Sequence, residues 1–521
     1  MMANKRGMLA VLAAAVLLTS AACGSNEAAT GTPASSGGEA TSGQGSSQPV
    51  PLKIMANYDQ ADLSATDKKM VELLEKKTNT KVTFEIPPLT GYKERLQLML
   101  ASGEYPDIVF FPATNDPSFL NAMKDGILLP VNDYVKNAAN LQKYTYQTSW
   151  DALKVKQDNN IYGIPRTSVN RNDMFWVRKD WLKNVGVTIP DNSEVTIDQF
   201  TDILRKFTKE DPDKNGKNDT YGLAVNVNAR KVLDPVLTGP FGLTGWQPTT
   251  GGSYAYMDPT YDTNSDAYKK ALAYSNQLYK EGLLDPDAAT NDGTKARERF
   301  WKGMTGVYLG FAGHYNWHTD EMRKQNPNVE LTYLFVKNEQ GKVQGGGYAT
   351  GLWGFWAITK AAKNPQKAAE FLDAFLADDV WPTVSNGFEG SDYKLENGNK
   401  VAIPNPPTSF VRRNTMRRAN DTDFFITVGT EKNVVDLITP WLKKSVETVA
   451  NGKDLGFVPE AAKKPSLMDY QKVWDQTVMK IILGEAPVSK FDELLAGWYK
   501  AGGEDYMKQM NEFIKKMESA K

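Results

Sequence analysis

The stretch Leu52–Phe111 reads LKIMANYDQADLSATDKKMVELLEKKTNTKVTFEIPPLTGYKERLQLMLASGEYPDIVFF. Its hydrophobic period changes along its length. Leu52, Ile54 and Ala56 alternate with other residues, which predicts a strand. Ser64 followed by Asp67 has capping-box spacing, and Met70, Val71, Leu73 and Leu74 then share one helical face. Val82, Phe84 and Ile86 alternate as a second strand, and Leu96, Met99 and Leu100 mark a second helix. Ile108 to Phe111 is a continuous apolar run, expected of a strand buried on both faces. The sum is β-α-β-α-β, hence a parallel sheet with right-handed crossovers. Ligands of such sheets lie beyond the carboxyl ends of strands. Here those ends are Asn57-Tyr58-Asp59, Pro87 to Thr90, and Phe111 to Asn115.

Beyond this unit, strands are expected at 161–165, 174–177, 305–311 and 352–358. Helices are expected at 197–208, 266–281, 365–376 and 492–517. There is no internal repeat. The 521 residues exceed one sheet's worth of chain, yet no second Gly/Ser linker divides them. Two lobes joined by several short crossings fit this pattern.

Composition excludes several chemistries. Lys plus Arg is 61 and Asp plus Glu is 62, a formal net charge of -1. That balance argues against nucleic acid as a partner, because phosphate binding rests on clustered cations. The one cysteine, Cys23, makes no intramolecular disulfide, Cys-based zinc site or CxxC pair. The two histidines, His314 and His318, stand four apart, a spacing that shares a helical face. The HExxH glutamate is missing, however, so zinc is not expected. His314 is retained as a hydrogen-bonding candidate. Nucleophile-elbow, P-loop and GxGxxG patterns are absent from the sequence. All 12 Trp lie after residue 149.

Residues 1–22 read as a lipoprotein signal peptide: Lys5 and Arg6, then an apolar run from Met8 to Leu18 too short to span a bilayer, then Ser20-Ala21-Ala22 before Cys23. This resembles a bacterial lipobox, with Ser20 where Leu is usual. The resemblance implies that Cys23 is lipidated and that the chain is held outside the cell membrane by this anchor alone. An ordinary secreted chain with a chance cysteine is the other reading. Residues 24–50, mostly Gly, Ser, Thr and Ala, read as a flexible linker.

Several motifs together resemble the bacterial extracellular solute-binding proteins of family 1, in particular the large lipoproteins of Paenibacillus and Bacillus type that serve complex-carbohydrate importers. They are Ala101-Ser102-Gly103-Glu104-Tyr105-Pro106-Asp107, Ile161-Tyr162-Gly163-Ile164-Pro165-Arg166, and Trp176-Val177-Arg178-Lys179-Asp180-Trp181-Leu182. The loop from Asp211 to Gly222, the stretch Asn386 to Gly390 with Tyr393 and Gly398, and Gly484-Glu485-Ala486-Pro487 join them. The resemblance implies an α/β, two-lobed clamp like the periplasmic binding proteins, each lobe a mostly parallel sheet flanked by helices. By analogy, lobe one takes 51–167 plus 349–395 and lobe two takes 168–348 plus 396–521. It further implies a monomeric, non-enzymatic protein that captures an oligosaccharide between the lobes. The captured sugar passes to two membrane permease subunits of an ABC importer with a separate ATPase. A surface-tethered lyase or hydrolase, or a subunit presenting solute to a sensor, are the alternatives.

Two site expectations come from residue chemistry. Asp211, Asp213, Asn215 and Asp219 fall at positions 1, 3, 5 and 9 of an EF-hand-like loop, with Gly216 at the sharp turn and Lys217 offering its carbonyl. That pattern suits a structural Ca2+. Position 12, Glu in an EF-hand, is Gly222, and a plain Asp/Asn/Gly turn is the alternative. Aromatic rings offer flat faces to the apolar face of a sugar, while Asn and Arg take its hydroxyls. The candidates are Asn57, Tyr58, Phe111 and Asn115 from lobe one, Arg166 at a crossing, and Trp176, Phe311, His314 and Trp317 from lobe two. Trp246 in a Gly-rich insert and Trp353 beside a crossing complete the set.

Overall fold

The computed structural model describes residues 48–519, apart from 59–61, 89–90, 155–159, 226–238, 251, 289–290, 347–349, 405–408 and 427. The signal peptide, Cys23 and nearly all of the expected linker lie outside the described residues. Two five-stranded sheets organise the rest. The first runs in the order Thr80–Glu85, Val50–Met55, Ile108–Phe111, Leu352–Ile358, Ile164–Thr167. Its first three strands are parallel, with Ile54 opposite both Phe84 and Ile108. Leu352–Ile358 then runs antiparallel to both of its neighbours. The second sheet runs Glu194–Val195, Leu331–Val336, Met174–Arg178, Thr305–Gly310, Tyr221–Ala224. Its outer pairs are parallel and its inner pairs antiparallel. The two-lobed α/β clamp therefore stands, and each sheet is mixed. In each sheet the strand that arrives from the other lobe, Leu352–Ile358 or Met174–Arg178, runs antiparallel to both neighbours.

The capping box forms as its residues dictate. Ser64 accepts from the Asp67 amide, and the Asp67 carboxylate takes the Ser64 amide, opening helix Ala65–Thr78. Fully buried Asp67 also accepts from the Ser409 hydroxyl and the Val411 amide, each at 2.9 Å. That tie anchors 409–414 on lobe one. Val411, Met416 and Phe424 accordingly belong to the first core, with Leu52–Ile164 and Phe355–Val384. The second core draws on Met174–Val336 and Ile438–Ile514. The expected boundary at 395 thus falls earlier than the division of the cores. Phe425 packs against both.

Chain crossings run from Thr167 to Met174, from Val336 to Leu352 and beyond Phe424. The first two are stitched to lobe two. The Asn172 amide donates to the Ser445 carbonyl (2.7 Å), and Gly345–Gly346 pairs with Val449–Ala450. The C-terminal helix expected over 492–517 is broken into Lys490–Trp498 and Glu504–Ser519. Gly502, at φ 131, makes the kink, a conformation open chiefly to glycine.

Candidate functional site

One cavity lies where the lobes meet, and a second beside it is walled by lobe one alone. The first, of about 280 Å³, sits between Phe311, His314 and Trp317 on the lobe-two side and Trp353, Arg413, Arg417 and Phe424 on the other. The second, of about 180 Å³, is walled by Asn57, Tyr58, Arg166, Trp353 and Asn414. Trp353 lines both. Trp353 is 40% exposed, although it sits on an inner strand of the first sheet. Trp317, opposite, is 41% exposed. Large apolar side chains left open between two lobes are uncommon without a ligand role.

Trp353 is surrounded by guanidinium groups. Arg417, Arg166 and Arg171 lie 4.8, 5.4 and 5.9 Å from its ring centroid. Arg166 donates to the Trp353 carbonyl (2.9 Å) and to Asn414 Oδ1 (3.2 Å). Arg417 donates to the same Asn414 oxygen (3.1 Å) and to the Arg413 carbonyl (3.0 Å). Arg171 lies 3.9 Å above Phe311 and pairs with Asp173 (2.9 Å). Burial lowers the Arg166 pKa to about 10, because a desolvated charge is disfavoured. Arg413 falls to about 10 by burial and by Arg412 beside it. Arg417 is lowered further by burial and by Arg166, Arg413 and Arg171. His314 is depressed to about 4 by burial and by Arg171, Arg297 and Arg417, so it is neutral at physiological pH.

Seven expected site residues line these two cavities: Asn57, Tyr58, Arg166, Phe311, His314, Trp317 and Trp353. Asn57 Oδ1 is buried without a hydrogen-bond partner among the described residues. The Tyr58 hydroxyl is bonded to Thr415, and burial raises its pKa. Asn115 lies apart, exposed at the rim of a third, larger interlobe space of about 900 Å³ that also takes in Phe457 and Phe513.

Three expectations are corrected. Phe111 is wholly buried against Phe119 and Phe355. Trp176 is wholly buried among Tyr333, Trp441 and Tyr315, its indole N–H donating to the Phe311 carbonyl (3.2 Å). Trp246 is 4% exposed and packs on Tyr506. Phe111 and Trp176 sit on strands buried along their whole length, and Trp246 is on a bend packed into the second core, so all three rings are core.

Asn414, Arg413, Arg417 and Phe424 were not foreseen. The signal was legible in Arg412-Arg413-Asn414-Thr415-Met416-Arg417-Arg418, four arginines in one short run. Arg412 and Arg418 pair with Asp392 and Asp378, while Arg413 and Arg417, four apart, turn to the cavity.

The calcium loop follows helix Ile197–Lys209. Asp211, Lys214 and Gly216 take positive φ (46, 58 and 79). The Asp211 carboxylate accepts from the Asn215 and Gly216 amides (3.1 and 3.0 Å). The Asn215 side-chain amide bridges Asp213 (2.9 Å) and Asp219 (3.1 Å). Burial and Asp211 raise the Asp213 pKa, because carboxylates drawn together disfavour each other's ionisation. Thr220 is buried and donates to the Phe207 carbonyl (2.7 Å). A Cβ at Gly222 would stand 2.8 Å from Leu204 Cβ. The chain leaving the loop is therefore locked against the helix, and a position-12 carboxylate has no room. Among the described residues no cage of three His, Cys, Asp or Glu side chains is assembled. A cation here would draw on Asp211, Asp213, Asn215, Asp219 and the Lys217 carbonyl, an all-oxygen set that fits Ca2+.

The chain is similar over most of its length to curated proteins. It is 26% identical over 464 residues to the polygalacturonan/rhamnogalacturonan-binding protein YtcQ of Bacillus subtilis, covering 86% of this chain and 88% of YtcQ. It is 25% identical over 488 residues to lipoprotein LipO of the same organism, covering 90% and 93%. In fold it matches the S. pneumoniae ABC-transporter substrate-binding protein FusA. The complex with kestose aligns at TM-score 0.64 and an EF-hand mutant with fructo-nystose at 0.63, each at 20% identity over 90% of this chain and all of that one. The profile of the bacterial extracellular solute-binding proteins matches residues 59–380, more than half of the sequence. Two lobes, mixed five-stranded sheets and an aromatic cleft between them agree with that match, and the chain belongs to the bacterial extracellular solute-binding protein family.

Proposed function

We propose that this protein captures an oligosaccharide between its lobes and delivers it, chemically unchanged, to an ABC importer built from two permease subunits and a separate ATPase. The observation that carries this reading is the pair of exposed tryptophans, Trp353 and Trp317, lining one interlobe cavity from opposite lobes. Each offers a flat face to a sugar ring, with Asn57, Asn414 and His314 beside the cavities as polar partners. FusA and YtcQ carry names that place sugars in their sites, which supports the same class here. Lipid attachment at Cys23 would hold the body at the outer face of the cell membrane, as the lipoprotein name of LipO suggests. Among the described residues no helix is long and apolar enough to cross a membrane. Ca2+ in the 211–219 loop would brace lobe two, and the EF-hand named for FusA supports it. Calorimetric titration of the lipid-free body with a panel of oligosaccharides, followed by product analysis, tests the reading. Saturable binding with the glycan recovered intact is expected. Cleavage of the glycan would favour a tethered enzyme, and no binding across the panel would remove the carbohydrate assignment.

A further inference from the structure

The arginines at the cleft exceed what folding requires. Arg166 is 7% exposed, and Arg413 and Arg417 are part-buried. Among the described residues none of the three has a carboxylate within 4 Å, whereas Arg171, Arg178, Arg412 and Arg418 each have one. Their hydrogen-bond partners among the described residues are neutral: the carbonyls of Trp353, Ser385, Phe424 and Arg413, and the single Asn414 oxygen that Arg166 and Arg417 share. Donors remain spare. Arg166 Nε and Arg417 Nη1 are buried with no hydrogen-bond partner among the described residues. Buried cations are normally paired, and a buried donor left unmade is costly. Like charges gathered in one wall add repulsion, which is what depresses Arg417 beyond burial alone. The three groups serve both cavities, since Arg166 lines one and Arg413 and Arg417 line the other, with Trp353 common to both.

We infer that the oligosaccharide taken between the lobes is anionic, a uronate-bearing chain whose carboxylate is held by the unpaired guanidinium groups of Arg166, Arg413 and Arg417 while a neighbouring ring stacks on Trp353. A planar guanidinium offers two parallel donors that match a carboxylate, and such charge-assisted pairs are roughly twice as strong as neutral ones. Arg417 and Arg166 thus keep at the cavity walls a positive charge that no protein carboxylate offsets among the described residues. Surface arginines of ordinary folds do not leave this pattern, because solvent satisfies them.

The inference rests on oligosaccharide capture, and the test separates the two. The lipid-free body is titrated calorimetrically with trimers of galacturonate, of mannuronate and guluronate, and of a glucuronate-substituted neutral chain. Each is paired with its carboxyl-reduced counterpart and with a sulfated neutral trimer. At least one uronate trimer is expected to bind about tenfold or more tighter than its reduced partner. Arg417→Gln should bring that ratio towards one, and Arg417→Lys should keep part of it; thermal melts of both variants monitor folding. Because the ratio is first read on the unaltered protein, a variant that fails to fold does not hide the answer. Equal affinity for the reduced partners overturns the uronate inference and leaves oligosaccharide capture standing. Binding of the sulfated trimer alone overturns the carboxylate. Failure of every sugar to bind overturns capture itself, and the inference with it.

Discussion

At the scale of single residues, Trp353 exposes 40% of its surface and Trp176 none, so the same truncation should act on different properties. Trp176→Ala is expected to cost about 3–5 kcal/mol of stability, as large-to-small core changes do. Trp353→Ala should leave the melting temperature within a degree or two, since exposed substitutions change stability by about 0.5 kcal/mol or less, while weakening glycan affinity severalfold. Paired melts and titrations distinguish the two, and an unchanged affinity in Trp353→Ala would remove the proposed stacking platform. The histidines give a pH prediction. His314 is held near 4, and His318, buried with its Nδ1 accepting from the Trp301 indole, near 3, against about 6.5 in the unfolded chain. As pH falls, the unfolded chain takes up protons first. Stability is therefore complete above pH 6.5 and drains as pH drops towards 4 and then 3, by about 1.4 kcal/mol per unit per group at most. Melting temperature should fall between pH 7 and 4.5, before most carboxylates titrate, and His318→Gln should flatten the slope. Which aromatics met the cleft was only partly legible. Alternation cannot rank Trp176 against Trp353 when both lie on inner, nearly continuous apolar strands. What separates them is the helix Lys432–Glu447, whose Trp441 closes over Trp176 and has no local trace in the strand itself.

Among the elements, those with both a period and a cap were the legible ones. Helices Ala65–Thr78 and Ile197–Lys209 begin at capping boxes, and the strands at 174, 305 and 352 start where their apolar runs start. Leu331–Val336 is buried throughout and lies inside the second sheet, yet the sequence does not announce it, since a short apolar run carries no period of its own. The segment 409–424 packs with lobe one, against the analogy; its anchor, Asp67, lies more than 340 residues away and leaves no local signal. The 211–219 loop carries the element-scale prediction. With its exit pinned by Thr220 and Gly222, any cation must be held by the loop's own oxygens. Removing Ca2+ with chelator should lower the melting temperature, and restoring Ca2+ should return it. At a concentration of about 100 times the dissociation constant the gain is about 2.7 kcal/mol. Asp213→Asn should abolish the calcium response while glycan affinity changes little, because the loop lies outside both cavities. A melting curve indifferent to chelator, with no calcium found by elemental analysis, would leave the loop as an Asx-rich turn.

For the whole molecule, a solute that touches both lobes favours the closed form only through contacts it makes there and not in the open form. Trp353 and Arg417 belong to lobe one and Trp317 and His314 to lobe two, so a bridging glycan has such contacts. Small-angle scattering should show a smaller radius of gyration at saturating ligand. The movement must pass through the crossings, and there the packing is tight. A Cβ at Gly345 would stand 2.0 Å from the Asn172 Oδ1, and Asn172 is itself buried and fixed to Ser445 on the helix of lobe two. Gly346, next in the chain, has open space where its Cβ would be. Gly345→Ala therefore pushes two crossings apart, at about 1–3 kcal/mol for an overpacked site, while Gly346→Ala touches nothing. If the crossings act as the hinge, Gly345→Ala should blunt the ligand-induced compaction and weaken affinity although it meets no ligand. Gly346→Ala should match the unaltered protein in both measurements. Full compaction in Gly345→Ala would place the hinge elsewhere, in the remaining crossing beyond Phe424, where Phe425 packs against both cores and is the next side chain to alter.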